Sequence, residues 1–123
     1  MGLKILVVDD ALFMRNMLKD IFVRAGHEVV GEASNGNEAV EMYRELRPDM
    51  VTMDIVMPMK SGIEALEDIN REFPEAQVVM CSALGQEALV LEAVQAGARD
   101  FIVKPFKESR VLEVVQRIAG GGA

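Results

Sequence analysis

Apolar residues follow two alternating rhythms along the chain. Five short runs are almost continuously apolar: "LKILVV" (3–8), "EVVGEA" (28–33), "DMVTMD" (49–54), "QVVMCS" (77–82) and "DFIV" (100–103). Runs of this length, rich in Val, Ile and Met, read as buried strands. Between them apolar residues recur every three or four positions, the spacing of one face of a helix. The first helical stretch carries Phe13, Met14, Met17, Leu18, Ile21, Phe22 and Ala25. The second carries Ala39, Val40, Tyr43 and Leu46, and the third Ile63, Leu66 and Ile69. A fourth is expected over about 86–96, and a fifth carries Val111, Leu112, Val115 and Ile118. Gly26, Pro48, Pro74 and Gly97 fall where these stretches should stop.

Strict alternation of five strands with five helices predicts an α/β fold, a doubly wound five-stranded parallel sheet with helices on two faces. A chain of 123 residues fits one domain. The domain is placed over residues 1–119, with "GGGA" (120–123) as a flexible tail. In open parallel sheets ligands bind beyond the carboxyl ends of the strands, so the residues at the five strand tips become the candidates for function.

Composition narrows the classes. Half the residues are hydrophobic and the formal net charge is -7. An acidic globular chain is unsuited to general nucleic-acid binding, which relies on phosphate neutralisation by Lys and Arg. Cys81 is the single cysteine, so no intramolecular disulfide can form, and it reads as an inert buried thiol. No run approaches the roughly 18–20 apolar residues of a membrane span, and the N-terminus lacks a signal-peptide pattern. The expectation is a cytoplasmic monomer with no membrane insertion. His27, past a helix end, is expected to be solvated. Met57 and Met59 are expected to lie by a loop after the third strand, outside the core.

The strand tips carry Asp9 and Asp10, then Asp54, then Ser82, then Lys104 followed by Pro105. Taken singly, Asp-Asp is a turn or cap, Ser82 a satisfied hydroxyl and Lys104 a solvated cation. Taken together, polar groups on four different tips converge on one shallow cleft. Three clustered carboxylates repel unless neutralised. A hard divalent cation such as Mg²⁺ does this through oxygen ligands, retaining waters for a phosphate-bearing substrate. One carboxylate can then serve as a nucleophile in aspartyl-phosphate chemistry, with Lys104 offsetting charge on the phosphoryl oxygens.

The stretches "VVDDALFMR", "DMVTMDIVMP", "VVMCSA" and "AGARDFIVKPF" resemble the receiver domain of bacterial and archaeal two-component response regulators. The resemblance covers about residues 3 to 118, and single-domain chemotaxis regulators are the most similar form. It implies the flavodoxin-like strand order 2-1-3-4-5, which the general description of this fold already attaches to a chemotaxis receiver. It implies that Asp54 is the phospho-acceptor. Asp10, Asp54 and the backbone carbonyl of Val56 would ligate Mg²⁺, with Asp9 acting through a metal-bound water. Ser82, Phe101 and Lys104 would form the switch that follows phosphorylation. The Lys104–Pro105 bond would be cis, and Gly62 would give the turn after the active-site loop. A histidine kinase would supply the phosphoryl group and a phosphatase would oppose it. The output surface, about residues 86–118, would bind a flagellar motor switch protein. Such a protein is a signalling switch rather than a metabolic enzyme, although it catalyses its own phosphorylation and dephosphorylation.

Phe101 stands where many chemotaxis members carry Tyr, so a hydroxyl is missing from the expected docking face. Val56 and Leu84 would flank the phosphoryl group; as apolar residues they are expected to hinder attacking water. The alternative within the family is a phosphorelay intermediate or a receiver for another pathway. A flavodoxin-like electron carrier needs a phosphate-cradling loop after the first strand, and Asp9-Asp10-Ala11-Leu12 stands there instead. An aspartyl phosphohydrolase places a second Asp two residues after its nucleophile, on the first strand; two residues after Asp54 lies Val56.

Overall fold

The continuous apolar runs become strands because only a sheet covered on both faces can bury every side chain of such a run. In the computed structural model, which describes residues 2–120, the strands are Lys4–Val8 (β1), Glu28–Ala33 (β2), Met50–Asp54 (β3), Val78–Ser82 (β4) and Asp100–Val103 (β5). The helices are Leu12–Arg24 (α1), Gly36–Leu46 (α2), Gly62–Glu72 (α3), Glu87–Gln95 (α4) and Glu108–Ala119 (α5). The strands pair in parallel in the order β2-β1-β3-β4-β5. This is the expected topology. Of the proposed tail, Gly120 follows α5 directly as its C-cap, and 121–123 lie outside the described residues.

Alternation along each strand divides the interior in two. Leu6, Val8, Val51, Met53, Val78 and Met80 pack on one face with α2, α3 and Ala93 of α4. Ile5, Val7, Met50, Val79, Cys81 and Ile102 pack on the other with α1 and α5. All five residues of β3 and of β4 are buried, as central strands of a doubly covered sheet must be.

Local chemistry sets the helix starts. Asn35 accepts a hydrogen bond from the Glu38 amide to begin α2. Ser61 and Glu64 form a reciprocal capping box at α3. α4 has no such cap, and Ala93 alone among its residues is fully buried.

Three expectations need correction. Phe13 does not share the buried stripe of α1. It lies in the first turn and is 70% exposed, whereas Leu18, Ile21 and Phe22 are buried. His27 is half-buried, and its Nδ1 accepts a hydrogen bond from the Leu3 amide at 3.0 Å, tying the entry of β1 to that of β2. Met57 turns into the core beside Ile55 and Ile63, while Met59 stays exposed with a left-handed backbone.

Candidate functional site

The three central strands end together, and their tips hold the charged groups. Asp9 follows β1, Asp54 closes β3 and Ser82 closes β4; Asp9, Asp54 and Ser82 are all buried. Asp10 is exposed. Carboxylate oxygens of Asp9, Asp10 and Asp54 all lie within 4.8 Å of one another. Lys104, just past β5, brings its Nζ to 2.9 Å from Asp9 Oδ2 and 3.4 Å from Asp54 Oδ2. The Lys104–Pro105 bond is cis, as expected.

The electrostatics follow from burial and crowding. Burial and the neighbouring Asp9 charge push the Asp54 carboxyl up to about 6, although Lys104 pulls the other way. Burial opposes the charge on Lys104, but its hydrogen bond to Asp9 and the charges of Asp54 and Asp9 outweigh it and raise the lysine pKa. One ammonium thus faces three carboxylates, which leaves a net negative, all-oxygen donor set. That chemistry fits a hard divalent cation that keeps some of its waters. Burial also raises the Cys81 thiol, which stays protonated and inert.

The loop from Asp54 to α3 is shaped by Gly62. A Cβ there would run into the Asp54 carbonyl, and the Gly62 amide donates to the Ile55 carbonyl at 2.8 Å. The glycine therefore serves close approach of backbone to backbone. Val56 in this loop and Leu84 beyond β4 are 55% and 78% exposed, so apolar groups stand at the surface near the site.

Ser82 and Phe101 line one wall of a cavity of about 350 Å³ between α4 and β5, with Val90, Leu91 and Val103. Arg110 donates to the Phe101 carbonyl at 2.9 Å and is also paired with Asp100. Phe101 itself is half-buried. The acidic cluster and this cavity therefore meet at the tip of β4.

Two participants escaped the sequence reading. Arg15 donates to the Asp9 backbone carbonyl at 2.6 Å, and Gln86 accepts from the Ala83 amide at 2.7 Å. Arg15 lies in the first turn of α1, just beyond the Asp pair, a position that could have marked it as within reach of the loop.

Comparison with known proteins agrees with this geometry. The model of the response regulator receiver domain family matches residues 5–116. The chemotaxis protein CheY of Thermotoga maritima is 58% identical over 119 residues, covering 97% of this chain and 99% of its own length. CheY of Bacillus subtilis is 56% identical over 117 residues, covering 95% and 98%. Among solved structures, a chain of the CheX–CheY–BeF3–Mg²⁺ complex of Borrelia burgdorferi superposes with a TM-score of 0.89 at 39% identity, covering 94% of this chain and 87% of that one. Among the described residues no helix is long and apolar enough to cross a membrane. By its matched length, its fold and its strand-tip residues, this chain belongs to the response regulator receiver domain family, as a chemotaxis regulator of the CheY type.

Proposed function

We propose that this chain is a phosphorylation-driven switch that accepts a phosphoryl group on Asp54 from a histidine kinase and then docks on a flagellar motor switch protein. The observation that carries the reading is the meeting of three carboxylates and the Lys104 ammonium at the tips of β1, β3 and β5. Mg²⁺ would be held by Asp10, Asp54 and the Val56 carbonyl, with Asp9 reached through a water; when bound it neutralises the carboxylates and the phosphoryl oxygens.

An Asp54 carboxylate oxygen attacks the phosphorus of phosphohistidine. The phosphorus–nitrogen bond breaks, and the imidazole leaves with its electron pair and takes up a proton. Lys104 offsets the charge that gathers on the phosphoryl oxygens. Ser82 then donates its hydroxyl to the attached phosphoryl group. The cavity beside Ser82 gives Phe101 room to follow, and α4, with one fully buried residue and no side-chain cap, is the helix least tied to the core. Phosphorylation thereby biases a two-state equilibrium of the surface formed by residues 86–118.

The domain is assigned to residues 1–119 and acts as a cytoplasmic monomer. A phosphatase returns it to rest, and a protein of the CheX type, which forms a complex with CheY in Borrelia burgdorferi, is a candidate partner. Val56 and Leu84 shield the aspartyl phosphate from water, so Val56→Asn and Leu84→Glu are expected to shorten its lifetime, followed as loss of label. Transfer from a labelled histidine kinase tests the main reading: the parent chain should take up label and Asp54→Asn should not. Equal labelling of the variant would contradict it.

A further inference from the structure

Every polar atom of Asp9 is held. Its amide donates to the Ala33 carbonyl of β2 at 3.1 Å. Its Oδ1 accepts from the Ala11 amide at 2.9 Å and its Oδ2 from Lys104 at 2.9 Å. Its carbonyl accepts from Arg15 Nη1 at 2.6 Å. Arg15 is in turn fixed: its Nε donates to Glu32 Oε1 at 3.0 Å, and the other oxygen of Glu32 accepts from Lys19 at 2.8 Å. The arginine side chain is 16% exposed, so this clamp is sheltered. The Lys19 hydrogen bond, with Arg15 adding to it against the opposing effect of burial, lowers the Glu32 carboxyl and keeps the clamp charged.

The Asp9 carbonyl belongs to the same rigid peptide plane as the Asp10 amide. Fixing that carbonyl fixes the orientation from which the exposed Asp10 side chain departs. We propose that Arg15, clamped by Glu32, is a positioning residue for the divalent-cation site: it locks the Asp9–Asp10 peptide plane and so presents the Asp10 carboxylate to the ion. The inference rests on the reading of the acidic cluster as a Mg²⁺ site. It extends that site to a strut running from α1 to β2.

Charge and position predict opposite signs, which makes the idea testable. Arg15 is a cation beside an anionic site, so by Coulomb attraction alone its removal strengthens Mg²⁺ binding. Loss of a group that orients a ligand weakens metal binding, on the order of tenfold for well-placed supporting residues. The experiment is calorimetric titration of Mg²⁺ into the parent chain, Arg15→Ala, Arg15→Gln, Arg15→Lys and Lys19→Ala, at a temperature where thermal melts show each to be folded. Arg15→Ala and Arg15→Gln are expected to weaken Mg²⁺ about tenfold. Arg15→Lys, which keeps a donor, should recover part of the loss. Lys19→Ala removes the same charge from the same Glu32 without touching the Asp9 carbonyl, and should bind no more weakly than the parent. Should Arg15→Ala not fold, Arg15→Gln carries the test. Unchanged or tighter binding in the Arg15 variants overturns the proposal while leaving the Mg²⁺ site intact. Equal weakening in Lys19→Ala also overturns it, since the effect would then belong to Glu32 and not to the carbonyl clamp. No binding by the parent chain overturns the Mg²⁺ site itself, and the proposal with it.

Discussion

The interior of β3 and its tip are consecutive in sequence yet follow opposite rules. Met50, Val51 and Met53 are 0% exposed and sealed between helices on both faces. One residue later Asp54, 8% exposed, faces two other carboxylates and a single lysine. The interior gains stability from the apolar side chains it buries. The tip holds buried like charges whose mutual repulsion works against folding. The difference shows that stability gained along the strand sustains an arrangement at its end that is unfavourable while its carboxylates outnumber their lysine, a departure typical of functional sites.

The comparison can be strained first in the interior. Met53→Ala opens a cavity in a sealed layer and is expected to lower stability by about 2–5 kcal/mol, read by urea denaturation, with or without Mg²⁺. Independence from Mg²⁺ is the informative part, because a Mg²⁺-dependent loss would mean that interior and tip are not separate.

At the tip the next largest effect belongs to Lys104. Lys104→Met leaves Asp9 and Asp54 without their cation and should destabilise the protein by about 3 kcal/mol in chelator at neutral pH. Added Mg²⁺ should restore much of the loss. The stabilising contribution of Lys104 is present below its ordinary pKa and disappears only as pH rises through its raised folded value.

Asp54→Asn should do the reverse. Because the folded carboxyl titrates at about 6 rather than 3.8, ionisation opposes folding, and the variant should gain on the order of 2 kcal/mol in chelator at pH 7. The gain should be absent below about pH 3.8, grow between there and about 6, and be complete above. Thermal melts across that range give the answer, and a gain independent of pH would contradict the electrostatic origin.

The smallest effect sharpens the rule for the interior. Thr52 is fully buried, and its hydroxyl has no hydrogen-bond partner among the described residues. Thr52→Val keeps the shape and removes the orphaned group, so stability should hold or rise by up to about 1 kcal/mol. A clear loss would show that the hydroxyl is satisfied by a group such as a buried water.

Much of this was legible in the sequence because strands and strand tips are local patterns. The runs 28–33 and 100–103 match β2 and β5, and the other strands agree to within one residue. Asp9, Asp10, Asp54 and Lys104 could be grouped because parallel topology sends every strand end to one edge. What escaped depends on contacts between distant segments. Helical spacing could not tell that Phe13, one turn before the buried stripe, emerges into solvent. Nor could it tell that the His27 ring meets the Leu3 amide 24 residues away. Arg15 was passed over because its meaning comes from Glu32, placed beside it by the pairing of β1 with β2.

The most direct test of the central claim is intact-mass analysis after incubation with acetyl phosphate, with and without Mg²⁺, on the parent chain and Asp54→Asn. The account predicts a Mg²⁺-dependent gain of one phosphoryl group by the parent and none by the variant. A gain of equal size in Asp54→Asn would contradict it, because the phosphoryl group would then sit on some residue other than the one β3 carries to its tip.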